Sequence, residues 1–266
     1  VYGLAGGEPE MDTPDFIKDA AIKALQEGKT KYTPAAGIPE LREAIAEKLE
    51  VENNIEYEAS QIIVGNGAKH SCMSAIMAVL EEGDEVIIPS PYWLSYPEMV
   101  RIAGGVPVLV ETTEANNWKI TPDQFEENMT GRTKMIIINS PGNPTGAVYT
   151  ADELKALGDI ALFEDIVILS DEIYEKLVYG DAKHVSIASI SKELYDLTIT
   201  VGGFSKAYSM TGWRLGYIAA PKAIAEAISS MQGHTTSNPC TFAQYGGLAA
   251  MTVENSFVED LKAEYD

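Results

Sequence analysis

Short apolar runs alternate with longer stretches in which apolar residues recur at helical spacing, and this rhythm holds along almost the whole chain. The runs at 62–64, 86–88, 106–110, 135–138, 166–169, 197–201 and 215–219 have strand length and no polar face. A strand without a polar face is buried on both sides, so these runs predict a sheet sandwiched between helices. Between them, 71–80, 151–163 and 221–231 read as helices. Ahead of them 13–27 and 38–50 read likewise, with Pro14 and Pro39 near first turns, where a missing N–H costs little. The prediction is a three-layer α/β/α fold around a mostly parallel seven-stranded sheet, with no internal repeat or low-complexity linker.

Composition narrows the function classes. At 266 residues, 45% hydrophobic and 8% aromatic, the chain can bury a large core and carries no signature of general disorder. A formal charge of −21 argues against nucleic acid or an anionic membrane as the main partner. An anionic ligand then needs a local cationic pocket. Cys72 and Cys240 lie far apart, and His70, His184 and His234 are scattered, so neither a disulfide framework nor a metal site is expected and the cytoplasm is the default location. No apolar stretch reaches membrane-spanning length. Val1-Tyr2-Gly3-Leu4 carries no secretory signal and reads as the interior of a longer chain.

In parallel sheets ligands collect beyond the carboxyl ends of the strands, where loops and helix N-termini converge. The polar residues at those ends therefore carry the candidate chemistry. Lys206 and Arg214 stand eight positions apart in a glycine-punctuated loop between two apolar runs. A partly desolvated lysine amine can form a Schiff base, whereas arginine keeps its charge and its planar fork suits phosphate oxygens. A solvated lysine beside a surface-paired arginine is the plainer alternative. Gly65-Asn66-Gly67-Ala68-Lys69 opens a helix whose N–H groups suit an anion, although most such turns merely connect. Trp93, after the second run, can stack on a flat ring or serve as core. Asn143, in the rigid segment Asn139-Ser140-Pro141-Gly142-Asn143-Pro144-Thr145-Gly146, can donate to a phenolic oxygen or close an Asx turn. Asp171 ends a buried run, where an acid needs a cation such as a protonated pyridine nitrogen, or backbone donors. Tyr174 follows within reach of the same ring.

Taken in order, these segments resemble the fold-type I pyridoxal-phosphate aminotransferases, class I/II, in the branch that includes bacterial aspartate aminotransferases. The resemblance runs over essentially the whole chain. It rests on Gly6-Gly7-Glu8-Pro9, Lys31-Tyr32-Thr33-Pro34-Ala35-Ala36-Gly37, Pro91-Tyr92-Trp93, Asn143-Pro144-Thr145-Gly146, Asp171-Glu172-Ile173-Tyr174 and Ser205-Lys206 through Arg214. It implies pyridoxal phosphate as cofactor, held covalently by Lys206, with Asp171 on the ring nitrogen and Tyr174 and Asn143 on the phenolic oxygen. Trp93 stacks on the ring, and Arg214 holds the phosphate with the backbone around Gly67, Ala68 and Lys69. Lys206, Asp171 and Tyr174 are the catalytic set. Gly7, Lys69, Trp93 and Asn143 address the substrate, with Gly7 at the α-carboxylate and Lys69, otherwise a solvated helix-start lysine, at a distal carboxylate. Tyr32 implies contact with the phosphate of a neighbouring subunit, hence a homodimer with shared active sites. At Gly203 some relatives carry a serine that touches the phosphate; here Ser205 is the available substitute.

The implied reaction is ping-pong transfer of an amino group from an L-amino acid, aspartate first, to a 2-oxo acid, 2-oxoglutarate first. Other specificities (aromatic amino acids, prephenate, alanine), a C–S lyase or decarboxylase, a cofactor-sensing module, and a cofactor-binding core with little activity are the alternatives. The resemblance also implies that residues 1–30 contribute to a small domain and the substrate mouth and that 31–266 form the large cofactor domain. A C-terminal small domain carrying an α-carboxylate arginine is expected beyond Asp266, with Glu264-Tyr265-Asp266 inside a long helix leading to it.

Overall fold

The computed structural model describes residues 7–266; the readings at Val1–Leu4 and Gly6 lie outside them. The helices α1 (Asp15–Gln26) and α2 (Pro39–Asn53) precede the first strand, β1 (Ile62–Gly65). Then come α3 (Ala68–Val79), β2 (Glu85–Ser90), α4 (Ser95–Ile102), β3 (Val106–Glu111) and α5 (Pro122–Asn128). They are followed by β4 (Thr133–Asn139), α6 (Ala151–Phe163), β5 (Val167–Asp171), α7 (Lys192–Leu197) and β6 (Thr198–Gly203). The chain continues through β7 (Gly216–Ala219), α8 (Lys222–Thr235), α9 (Thr241–Thr252) and α10 (Phe257–Tyr265).

All seven predicted runs are strands of one sheet, ordered β1-β7-β6-β5-β4-β2-β3. Pairing is parallel except that β7 runs antiparallel to both of its neighbours. Alternate strand residues feed opposite layers: Ile63, Ile137, Leu169 and Ile218 pack with α3, α4 and α8, while Ile136, Ile138 and Ile168 pack with α5, α6 and α7. On that second side, at the other end of the sheet, Ile62, Val64 and Tyr217 meet α1, α2 and α9. That two-sided burial is why six of the strands read as unbroken apolar runs; the edge strand β3 departs from the expectation, with Val106 44% and Leu109 43% exposed.

Three local departures have physical causes. The helix expected at 71–80 begins at Ala68, because Gly67 turns the chain at φ 87° and its carbonyl accepts the Ser71 N–H. The stretch after β2 that follows Trp93, where no helix is expected from the sequence, contains α4, whose Tyr96, Met99 and Val100 form a short buried stripe. In place of one long C-terminal helix there are two, separated at 253–256. Across the expected boundary at residue 30 there is no gap in packing: Ile17 of α1 shares a core with Leu41 of α2 and Ala243 of α9.

Directly after Asp171, Glu172 is 2% exposed and fully engaged. It accepts from the Ser170 and Ser186 hydroxyls at 2.8 and 2.7 Å, and His184 Nε2 lies 2.9 Å from its second oxygen. Glu175 stands nearby, occupied by Lys48 and by Asn53 Nδ2 at 2.8 Å. Burial alone would lower the His184 imidazole, but donation to Glu172, with the charges of Glu172 and Glu175, outweighs it and holds His184 above its usual range. A proton bound more tightly in the folded state stabilises that state below the unfolded value of about 6.5, and the contribution disappears as pH rises through the raised folded value. His184→Gln is therefore expected to cost stability at pH 6 and much less at pH 9 in urea melts. A loss that is the same at both pH values would show that the imidazolium contributes nothing.

Candidate active site

Six strands run the same way and deliver their carboxyl ends to one edge of the sheet, and the loops leaving five of them, β1, β2, β4, β5 and β6, surround a cavity of about 780 Å³. Its lining brings together Gly7, Ala68, Lys69, Trp93, Asn143, Asp171, Tyr174, Lys206 and Arg214. Arg214 follows no strand end; it precedes β7, whose reversed direction places its start at the same edge. Gly67 adjoins the lining as the residue before α3, and Tyr32 stands away from it, 88% exposed.

Asp171 closes β5 between Asn139 of β4 and Val201 of β6, so its backbone is fixed from both sides. Its side chain is 3% exposed and has no cationic partner among the described residues. Oδ2 accepts from Tyr96 Oη at 2.6 Å and lies 3.5 Å from Cys72 Sγ, while Oδ1 accepts from the Ile173 N–H at 3.2 Å. Burial pushes the carboxyl above its usual range, and the Tyr96 donation is the strongest opposing influence. A buried acid held this way is a ready counter-charge for a cation that enters the cavity.

Lys206 follows β6 and is half-buried. Its Nζ donates to the Gly7 carbonyl and lies 5.6 Å from the centre of the Tyr174 ring. Burial, with the positive charge of Arg214, holds the amine below its usual range, and Glu8 opposes them. A depressed amine is more often neutral, hence nucleophilic. Tyr174 Oη accepts from Asn143 Nδ2 at 3.4 Å, so the two polar groups assigned to one ring oxygen stand side by side. Asn139 holds both halves of this wall: its Oδ1 accepts the Asn143 N–H and its Nδ2 donates to the Asp171 carbonyl.

At the opposite side, a side chain on Gly67 would place its Cβ 2.5 Å from Arg214 Nη2, so the guanidinium lies against the bare Cα at the start of α3. Arg214 Nη1 donates to the Thr211 carbonyl at 2.9 Å, and the residue makes no ion pair among the described residues. Helix N–H groups without intrahelical partners and a guanidinium that makes no ion pair among the described residues form a cradle suited to an anion. Gly216 completes it: a Cβ there would meet Ala68 N at 2.3 Å, so β7 and α3 touch backbone to backbone. Gly203 leaves little room for a side chain, since a Cβ would lie 3.0 Å from Ile173 Cδ1 and 3.1 Å from the Gly216 Cα, whereas buried Ser205 lines the cavity. Lys69 Nζ sits 4.9 Å from the Trp93 ring centre, and Trp93 meets Tyr96 edge-on at 5.3 Å.

These groups fit the implied cofactor. The buried acid has no cationic partner among the described residues, the guanidinium against Gly67 at the start of α3 suits an anion, and an amine of lowered basicity lies in the same cavity. Sequence reasoning missed Tyr96, Cys72, Asn139 and Thr211. Of these only Asn139 carried a usable signal, as the first polar residue after an apolar run.

Comparison with known proteins agrees with the geometry. The model of the family "Aminotransferase class I and II" matches residues 1–265. An aspartate aminotransferase of Geobacillus stearothermophilus is 53% identical over 266 residues, covering 100% of this chain and 68% of the relative. A probable aspartate/prephenate aminotransferase of Aquifex aeolicus is 53% identical over 268 residues, covering 100% and 68%. Among solved structures, aspartate aminotransferase from Thermus thermophilus with maleate superposes with a TM-score of 0.95 at 46% identity, covering 98% of this chain and 68% of that one. The chain belongs to the class I and II aminotransferases, enzymes that depend on pyridoxal phosphate.

Proposed function

We propose that this cavity carries pyridoxal phosphate and that the chain moves an amino group between aspartate and 2-oxoglutarate. One observation supports the reading above the others: a lysine amine of lowered basicity shares its cavity with an anion cradle and a buried, cation-free carboxylate. When bound, the cofactor supplies an aldehyde that takes up the amino group and a protonated ring that draws electrons from the substrate α-carbon.

The remaining work falls to the chain's own residues. Lys206 offers a neutral amine as nucleophile and, once released, carries a proton to and from the substrate α-carbon. Asp171, an anion in a dry wall, holds a proton at the ring nitrogen. Tyr174 and Asn143 donate to the phenolic oxygen, and Trp93 offers a flat apolar face. Arg214 and the N–H groups of Ala68 and Lys69 hold the phosphate, with Gly67 bare so that the guanidinium can approach. Gly7 presents backbone to the α-carboxylate. Lys69, an exposed cation above the Trp93 ring, suits the second carboxylate of a dicarboxylic substrate, with Trp93 and Asn143 bounding the same space. The Thermus relative's binding of maleate, a dicarboxylate, supports this choice. A second specificity, toward prephenate or aromatic substrates, is favoured by the apolar wall of Tyr92, Trp93 and Leu94 and by the name of the Aquifex relative.

Amino-acid and 2-oxo-acid partners follow from the family. We further propose a homodimer, for which the 88% exposure of Tyr32 away from its own cavity is the support. Residues 31–266 are proposed as the cofactor domain and 1–30, through Gly7, as a contributor to the substrate mouth. No helix among the described residues is long and apolar enough to cross a membrane. The cytoplasm is proposed from the two free thiols, Cys72 and Cys240.

Three variants test the assignments. Borohydride reduction of the loaded protein should fix the cofactor to residue 206, as seen by peptide mass. Lys206→Ala should give no adduct and lose turnover by roughly 10²-fold to 10⁴-fold or more; undiminished transamination in this variant would overturn the reading. Lys69→Ala should lower kcat/KM for aspartate by about tenfold while sparing alanine, as expected for one lost charged contact. Equal losses for both substrates would remove Lys69 from specificity. Gly67→Ala forces the guanidinium aside and should weaken cofactor binding by about tenfold in equilibrium titration. Unaltered affinity would mean that Arg214 does not depend on the bare Cα.

A further inference from the structure

The apolar layer between the sheet and the helices α3 and α4 contains two polar hydrogens aimed at one atom. Tyr96 is 2% exposed and Cys72 is wholly buried, and both belong to the cluster built on Ile63, Val86, Leu169 and Val201. Tyr96 Oη donates to Asp171 Oδ2 at 2.6 Å, and Cys72 Sγ approaches the same oxygen at 3.5 Å. Burial, reinforced by the negative charge of Asp171, pushes the phenol and the thiol far above their usual ranges, so both keep their protons across the working pH range. They can therefore act toward the carboxylate as donors. A carboxylate oxygen accepts about two hydrogen bonds. On that count Oδ2 is filled by the thiol and by the phenol of Tyr96, which lines the same cavity as Asp171, whereas Oδ1 has the Ile173 N–H alone, at 3.2 Å, and one acceptor site unused.

We propose that Tyr96 and Cys72 are positioning residues that occupy Asp171 Oδ2 and so reserve Oδ1 for the protonated ring nitrogen of the cofactor. The proposal rests on the assignment of pyridoxal phosphate to this cavity. Two donors arriving from separate helices fix the rotation of the carboxylate plane, and their hydrogens favour its ionised form over a carboxylic acid. Cys72 is the weaker of the two, with a thiol at longer range, and its share is correspondingly smaller.

The test measures equilibrium binding of two ligands to the apoprotein: pyridoxal phosphate, and an analogue in which carbon replaces the ring nitrogen. Tyr96→Phe keeps the buried ring and removes only the donor. It should weaken pyridoxal phosphate by about tenfold, equivalent to about 1.4 kcal/mol, and change the analogue less than about twofold. Cys72→Val should weaken the cofactor by about threefold, again sparing the analogue, and Cys72→Ser, which retains a donor, should restore wild-type affinity. Equal weakening of both ligands by Tyr96→Phe would mean a packing role and overturn the proposal, leaving the cofactor assignment intact. An unchanged cofactor affinity in Tyr96→Phe would also overturn it. A wild-type protein that binds the two ligands equally would remove Asp171 from the ring nitrogen, and the positioning role with it.

Discussion

A carboxylate deprived of water must find a cation, find donors, or take up a proton, and Asp171 holds this constraint at the centre of the fold. It ends β5, a strand flanked on both sides, so its backbone has no freedom to carry the side chain toward solvent. Donors from Tyr96, Cys72 and the Ile173 amide stabilise the charge without neutralising it. The acid is thereby kept ready for a positive charge that the described chain does not itself supply. Asn139 extends the same logic sideways, tying the Asp171 carbonyl to the Asn143 turn and so to Tyr174.

Topology explains how two distant devices meet. Parallel strands send their carboxyl ends to one edge, which accounts for Asp171 and Lys206. The single antiparallel strand, β7, brings its beginning to that edge, and Arg214 stands two residues ahead of it. Close backbone contact between Gly216 and Ala68 then sets the guanidinium over Gly67. One reversed strand thus supplies a permanent cation where an all-parallel sheet would offer only strand-end loops. The anion cradle and the acid consequently face each other across a single cavity.

The fold was legible because all the strands but the edge strand β3 are buried on both faces, which leaves a continuous apolar signal independent of long-range contacts. The helix α4 was not, since Pro91 and Pro97 weaken the helical signal of its segment although Tyr96, Met99 and Val100 hold helical spacing. In α9, Gly246 and Gly247 weaken the helical signal and are required by close packing against Trp213 and Leu215. Within the site, the residues proposed to act directly on a ligand were readable from strand-end position. Tyr96 and Cys72 were not, because their roles exist only through contacts spanning 75 and 99 residues. A buried tyrosine and a buried thiol look like core in any local window.

Charge distribution adds an argument independent of motif. Acidic residues outnumber lysine and arginine 40 to 19, so a cation here meets carboxylates readily. The sequestered lysines elsewhere follow that expectation: Lys48 pairs with Glu175, Lys119 with Glu153 and Lys176 with Glu52. Lys69, Lys206 and Arg214 form no ion pair among the described residues, yet all three line one cavity. Lys29, Lys31, Arg42, Lys134, Lys183, Lys222 and Lys262 also form none, but Lys69, Lys206 and Arg214 are the cations that converge on the cavity. Such an arrangement stores positive potential for small anions, and the surrounding negative field disfavours large polyanions at the same mouth. Their convergence at one mouth suits a compact, multiply charged anion, and it supports the proposed cofactor and dicarboxylic substrate.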